Sequence, residues 1–296
     1  MSARPMKLAV GPLLYLWDRQ TALDFYADMC DAPVDIVYLG EVVCSKRRVL
    51  QKDDWGLVAC ALEAAGKEVV WSTLALIEAE SELATMARIV DGSAGHFEAN
   101  DMAAVQHGAG SPFVAGPHLN VYNEATLRLL VEQGARRWVA PVELPLATIA
   151  TLGETRPKGL EIEVFAYGRL PLAFSARCFT ARSQDRPKDD CGFICREYPD
   201  GITLYSRDDQ PFLTLNGIQT QSAAVQNLCA RVGELRAAGV DILRLSPQSQ
   251  DFAAVIRAFR DAVDATGAAT PFPASVLPGG YCDGYLRGAA GIERAP

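Results

Sequence analysis

Three thiols fall within one short polar stretch, from Cys178 through Cys191 to Cys195, which ends in a Cys-x3-Cys pair. The stretch carries few apolar side chains, so burial alone cannot fix its shape. A bound metal centre would supply the missing energy, because ligation turns a floppy loop into a cross-linked one. A fourth ligand must then arrive from elsewhere in the chain. Cys44, in the basic segment Cys44-Ser45-Lys46-Arg47-Arg48, is the best placed of the remaining cysteines.

The elements that would position these thiols follow from period and punctuation. Strand-like runs are expected at Lys7–Val10, Asp35–Leu39, Glu68–Ser72, His96–Ala99, Pro112–Ala115, Arg137–Ala140, Glu161–Ala166 and Asp241–Leu245. Between them the pattern predicts helices over Thr21–Met29, Trp55–Ala65, Ile77–Val90, Met102–His107, Glu124–Gln133, Leu146–Leu152 and Ala223–Ala237, with a last one over Phe252–Val263. A hairpin is expected from Ile202–Tyr205 and Phe212–Leu215. Eight strand–helix units in 296 residues indicate an α/β chain folded as a single (β/α)8 TIM-barrel-like domain, regular or distorted. An open doubly wound sheet is the runner-up. Residues 169–217 form a cysteine loop plus hairpin inserted after strand seven, and residues 268–296, rich in Pro and Gly, form an irregular tail.

Cys44 lies just beyond strand two and Cys178 beyond strand seven, so both emerge at the C-terminal mouth of such a barrel. Those strands stand three steps apart around an eight-membered ring, which lets their loops meet. The geometry therefore permits one site from Cys44, Cys178, Cys191 and Cys195. Cys30, Cys60 and Cys229 are read as small buried apolar residues on helices, and Cys282 is left undecided. Structural zinc favours two tight Cys pairs, whereas an iron–sulfur cluster tolerates all-thiolate ligands at long separations. Spacing favours the cluster and leaves zinc, or no metal, open. Eight basic residues, Lys46, Arg47, Arg48, Arg177, Arg182, Arg186, Lys188 and Arg196, flank the thiols and could offset a cluster's negative charge. The third cysteine of a radical S-adenosylmethionine motif is missing after Cys195, so a fully ligated cluster fits electron transfer or structure better than direct substrate binding.

Composition narrows the function classes. A net charge of −8 argues against an extended nucleic-acid surface. No run of about eighteen apolar residues is present to cross a bilayer, and the N-terminus lacks the apolar core of a secretory signal. A cytoplasmic location is expected, where eight cysteines serve as thiols or ligands rather than disulfides.

The segment Arg177-Cys178-Phe179-Thr180-Ala181-Arg182-Ser183, with Asp185-Arg186-Pro187-Lys188-Asp189 and Cys191, resembles the signature of the collagenase-like peptidase family. Tyr38–Glu41 with Cys44–Arg48, Ser72–Leu76, Pro112–Gly116, Pro141–Leu144 and Leu215–Thr220 resemble that family's oxygen-independent ubiquinone-biosynthesis branch. The resemblance implies a 4Fe-4S cluster on Cys44, Cys178, Cys191 and Cys195, and a heterodimer with a UbiU-like protein. It further implies O2-independent hydroxylation of a ubiquinone precursor, with a metabolite such as prephenate as oxygen donor and a lipid-binding accessory protein delivering the precursor. One departure is Pro117, which stands between Gly116 and His118.

A peptidase mechanism finds little support, because neither a Gly-x-Ser-x-Gly elbow nor a His-Glu-x-x-His helix is present. Weak catalytic candidates at the mouth are His118, Glu143, Arg244 and Tyr167, with Glu41, Asn120 and Asn123 as further pocket lining. Glu143 could assist proton transfer, and Arg244 could pair with a donor carboxylate. An RNA-hydroxylating relative, or a non-catalytic electron-transfer or scaffold subunit, are the alternatives.

Overall fold

The computed structural model describes residues 5–264, 272–274 and 277–294. The chain enters through β1 (Lys7–Val10), whose run is buried at three of four positions. Helix α1 (Arg19–Asp31) follows, capped by Asp18, whose carboxylate accepts the Thr21 amide at 3.0 Å. β2 (Ile36–Leu39) is buried at every position, as befits a parallel strand covered on both faces. It leads through a loop to α2 (Lys52–Ala64), β3 (Glu68–Ser72) and α3 (Glu80–Gly92). β4 (Phe97–Ala99), α4 (Met102–His107), β5 (Phe113–Ala115), α5 (Glu124–Gln133), β6 (Ala135–Val139) and α6 (Leu146–Thr155) continue the alternation.

β7 (Glu161–Phe174) departs from it. The first residues pair in parallel with β6, as the barrel requires, but the strand then runs on past the rim. A short helix α7 (Phe179–Arg182) and two 3-10 turns carry the cysteine loop. β8 (Ile202–Tyr205) and β9 (Pro211–Asn216) form the expected hairpin, and β10 (Gln219–Asn227) returns antiparallel along β7. Helix α8 (Val232–Ala237), β11 (Ile242–Leu245) and α9 (Phe252–Asp264) complete the ring. β11 pairs in parallel with both β7 and β1, so eight parallel strands close into a TIM-like barrel.

Two expectations are corrected. The stretch expected as one helix from Ala223 to Ala237 is strand β10 up to Asn227, followed by a 3-10 turn at Cys229–Arg231 and an α-helix only over Val232–Ala237. Its alanines favour helix locally, but the ladders that β10 makes to β7 and β9 on either side of them outweigh that propensity. The tail is not wholly irregular, since β12 (Tyr281–Cys282) pairs with β10 and Tyr285–Arg287 makes a 3-10 turn. The rest of that expectation falls partly outside the described residues. Opposite the middle of β7, the β10 register breaks between Gln221 and Val225, and Arg169 fills the breach. Its Nη1 donates to the Ser222 and Ala223 carbonyls at 3.1 and 2.8 Å, where β10 has no register partner on β7.

The barrel interior is charged as well as apolar. Ile36, Val70, Val114, Val139 and Ile242 pack around Tyr38. Arg244, only 4% exposed, stacks over the Tyr38 ring at 4.0 Å and pairs with Glu163 at 2.6 Å and Glu98 at 2.7 Å. The contact to Glu98 is ionic rather than a well-aligned hydrogen bond, since neither atom finds hydrogen-bond geometry. Tyr38 donates to Glu163 at 2.6 Å, and Arg137 joins the same chain while bridging Glu68 and Glu161 nearer the N-terminal rim. Arg244→Leu would take the cation from buried Glu98 and leave buried Glu163 only Arg137 at 3.8 Å. Urea unfolding is expected to show a loss of about 3–5 kcal/mol, whereas Arg128→Ala, at an exposed i,i+4 pair with Glu124, should shift the midpoint little.

Candidate metal centre

The overrun of β7 is what brings the thiols together. Beyond the rim its partner β10 connects to β9 through a tight turn at Gly217 and Ile218. Gly217 has φ +65°, a conformation that favours glycine, and a Cβ there would lie 2.7 Å from Arg47 Nη2 and press on the guanidinium. The Gly217 carbonyl accepts the Phe179 amide at 3.0 Å, and the Gly217 amide donates to Thr180 Oγ1 at 2.9 Å. The turn thereby fixes α7 and Cys178, the residue that caps it. Cys178 Sγ accepts the Ala181 amide at 3.4 Å.

Cys44 approaches from the loop after β2. Glu41 accepts the amides of Val43 and Cys44 at 2.8 and 3.0 Å, which curls the loop under the cysteine. Gly40 makes the exit from β2 possible, because at φ +107° a Cβ would sit 2.7 Å from the Ser72 carbonyl oxygen. Cys44 and Cys178 then pack on the same apolar patch of Leu14, Val42, Val43 and Ile218. Lys46 Nζ reaches across to the Lys188 carbonyl at 3.1 Å and Asp189 at 2.9 Å, while Lys188 pairs with Glu78. These clasps hold the segment before Cys191 against the barrel.

Cys191 and Cys195 sit at successive 3-10 turns, with Phe193 between them in the left-handed region at φ +53°. All four thiols are half-buried. Cys178 lies within electrostatic reach of Cys44 and of Cys195, and Cys195 within reach of Cys191. Burial raises the Cys44 and Cys195 pKa values, and the Arg47 guanidinium opposes the rise at both. Among the described residues no three His, Cys, Asp or Glu side chains gather tightly enough for a single ion.

The residues fit an anionic sulfur centre on two further grounds. The Ala181 amide already donates to one thiol. Arg47, 6% exposed, directs its Nη atoms to the Leu14 carbonyl at 2.6 Å and Asn216 Oδ1 at 2.8 Å, yet its buried Nε has no acceptor. A cluster bound here would be held by Cys44, Cys178, Cys191 and Cys195.

The remaining cysteines lie apart. Cys30 Sγ faces the Tyr26 carbonyl within α1, and Cys229 Sγ the Ala258 carbonyl at 3.6 Å. Cys282 is buried beside β10, its thiol pushed up to about 12 by burial and by Asp283. Cys60 is exposed on α2, contrary to the expectation of a buried residue.

The other candidates are dispersed. His118 stands edge-on to Phe174 at 4.7 Å, and burial together with the Arg244 charge pushes its imidazole down to about 3. It is therefore neutral at physiological pH. Arg244 is engaged by two carboxylates inside the barrel rather than turned toward a ligand. Glu143 is exposed, with the Tyr122 hydroxyl 3.4 Å away. Tyr167 packs among Phe252, Phe259, Phe272 and Tyr281 outside the barrel, its hydroxyl on Gln248 at 3.2 Å. Asn123 caps α5, and Asn120 is exposed in a left-handed turn. Sequence reading missed Asn216, the anchor of Arg47. The signal for it was Asn216-Gly217, a turn dipeptide between two strand-like runs.

A hollow of about 240 Å³ opens beside Cys44, floored by Val43, Leu76, Ala79 and Ile218 and rimmed by charged side chains. Among the described residues no helix is long and apolar enough to cross a membrane.

Comparison with known proteins places the chain. The family model for Peptidase family U32 matches residues 22–278. The tRNA hydroxylation protein P of Escherichia coli (strain K12) is 23% identical over 240 residues, covering 63% of this chain and 53% of that protein. Its namesake in Haemophilus influenzae is 23% identical over 225 residues, covering 57% and 49%. The chain thus spans about half the length of these curated relatives. Among solved structures, the U32 peptidase Mk0906 aligns at a TM-score of 0.46 and 10% identity over 84% of this chain and 96% of that one. Dihydropteroate synthase from Stenotrophomonas maltophilia aligns at 0.42 and 13% identity over 92% and 96%. With a match running from residue 22 to 278 of 296, the chain belongs to peptidase family U32.

Proposed function

We propose that the chain is a UbiV-like, cytoplasmic iron–sulfur subunit of an O2-independent hydroxylase acting on the ring of a ubiquinone precursor. In this reading it works as a heterodimer with a UbiU-like protein. The observation that carries it is that Cys44 and Cys178 pack on one apolar patch, with Cys191 and Cys195 on the loop that follows, in a family whose relatives include proteins named for hydroxylation. A 4Fe-4S cluster on those thiolates, when bound, supplies one-electron redox capacity. The chain's own part is to hold it under the β9–β10 turn and to shield it from solvent.

We place the precursor's ring in the hollow beside Cys44. Its 240 Å³ exceeds the roughly 150 Å³ that receives benzene in an engineered apolar cavity. Val43, Leu76 and Ile218 would face the ring, and the Lys46–Asp189 and Lys188–Glu78 pairs would form its polar rim. The oxygen comes from a metabolite such as prephenate, and a lipid-binding accessory protein presents the precursor. Arg244 is not the residue that meets the donor's carboxylate, since Glu163 and Glu98 already hold it. Peptide hydrolysis is disfavoured, because His107 pairs with Asp91 at the surface and His118 packs on Phe174.

Hydroxylation of a tRNA is the second reading, favoured by the names of the curated relatives. The net charge of −8 weighs against it, because RNA binding draws on a basic surface. A non-catalytic electron-transfer or scaffold role remains the third.

Two measurements test the proposal. Anaerobically purified protein is expected to carry about four irons per chain, falling below about one in Cys44→Ala and in Cys191→Ala. Iron unchanged by either substitution contradicts the cluster reading. A deletion strain grown without O2 is expected to accumulate an under-hydroxylated quinone precursor while its tRNA nucleosides stay unchanged. A missing hydroxylated nucleoside with normal quinone would establish the second reading instead.

A further inference from the structure

Of the eight basic residues around the thiols, the fold buries one. Arg48, Arg177, Arg182, Arg186 and Arg196 are exposed, and Lys46 and Lys188 are half-buried and clasp carboxylates. Arg47 is 6% exposed, and its hydrogen bonds to oxygen go to neutral acceptors, Leu14 O at 2.6 Å and Asn216 Oδ1 at 2.8 Å. Asn216 is itself fixed, since its Nδ2 donates to the Leu14 carbonyl at 2.8 Å and to Gln219 Oε1 at 3.0 Å. Gly217 leaves room for the guanidinium where any side chain would press on Nη2. A buried cation held this rigidly on neutral acceptors is costly unless negative charge lies close by. Glu41 is one such group, and the Cys44 and Cys195 sulfurs are the others. Arg47 Nε, buried and without an acceptor, is the donor left over for them.

We propose that Arg47 is a positioning residue that sets the reduction potential of the iron–sulfur centre, directing an N–H at its Cys195 side and neutralising part of its charge. This rests on the cluster reading above. Reduction of the centre adds one electron and no proton, so the reduced form carries one more negative charge. A fixed cation at short range in a low-dielectric setting stabilises that form preferentially and raises the potential. Exposed arginines on the same loop are screened by solvent and salt and contribute little.

The test is a redox titration of the anaerobically isolated protein, with its partner if one co-purifies, followed by the electron paramagnetic signal of the reduced centre. Arg47→Gln is expected to disfavour reduction at least tenfold, which lowers a one-electron midpoint by about 59 mV. Arg47→Lys restores part of the difference, and Arg182→Gln changes the equilibrium less than about threefold. A loaded Arg47→Gln centre that shifts less than about threefold overturns the proposal. If Arg47→Gln does not load iron, Asn216→Leu decides, since it keeps the cation and removes its anchor. A lowered potential there supports the proposal, and an unchanged one overturns it. Iron absent from the unaltered chain sinks the cluster reading and this inference together, whereas iron with a potential indifferent to Arg47 sinks this inference alone.

Discussion

Antiparallel pairing between the overrun of β7 and β10 is the interaction on which the rest of the molecule above the barrel depends. A parallel barrel strand normally stops at the rim, because its next hydrogen-bond partner has ended. Here β10 supplies that partner for several more residues, and the β9–β10 turn is lifted over the mouth as a result. The loops after β1 and β11 tie the lifted sheet down, through Tyr15 to Gln221 at 3.1 Å, Trp17 to the Pro199 carbonyl at 2.9 Å and Ser249 to Asp200 at 2.9 Å. The cysteine loop hangs between these fixed points. Its shape is thus set at its ends by sheet hydrogen bonds, and in its interior by two lysine clasps and backbone turns.

Electrostatics divides the molecule into two layers. Inside the barrel, Arg137 and Arg244 are matched by Glu68, Glu98, Glu161 and Glu163, a closed set that leaves little for a ligand. Above the mouth, Arg47 is matched by neutral oxygens, the Glu41 carboxylate and half-buried thiols, a set that an anionic centre would complete. The same residue type therefore has opposite meanings in the two layers. Arg244 is a structural cation with its partners in place, whereas Arg47 has a donor to spare.

Much of this was legible in the sequence. β3 and α5 match the expected bounds, and the closure of eight strands follows from the alternation of runs and turns. The four cysteines could be chosen because strand ends, not helix faces, deliver loops to one mouth. What was hidden depends on pairing at long range. The length of β7 and the strand character of Val225–Asn227 depend on each laddering to the other. Tyr167 was expected at the mouth, but the register slips between Phe165 and Tyr167 against β11, and one residue of slip sends the ring to the outer face. Arg47 looked like one basic residue among eight, since its burial is created by Asn216 and Leu14, far away in sequence.

If sulfur from the β2 loop and from the β7 excursion grips a single polynuclear centre, iron K-edge absorption on anaerobically prepared protein is the most direct check. The fine structure should show an all-sulfur first shell with an iron–iron distance behind it, and both should disappear when Cys44 is replaced. Iron ringed by nitrogen or oxygen with no second iron, or an all-sulfur shell indifferent to Cys44, would contradict it.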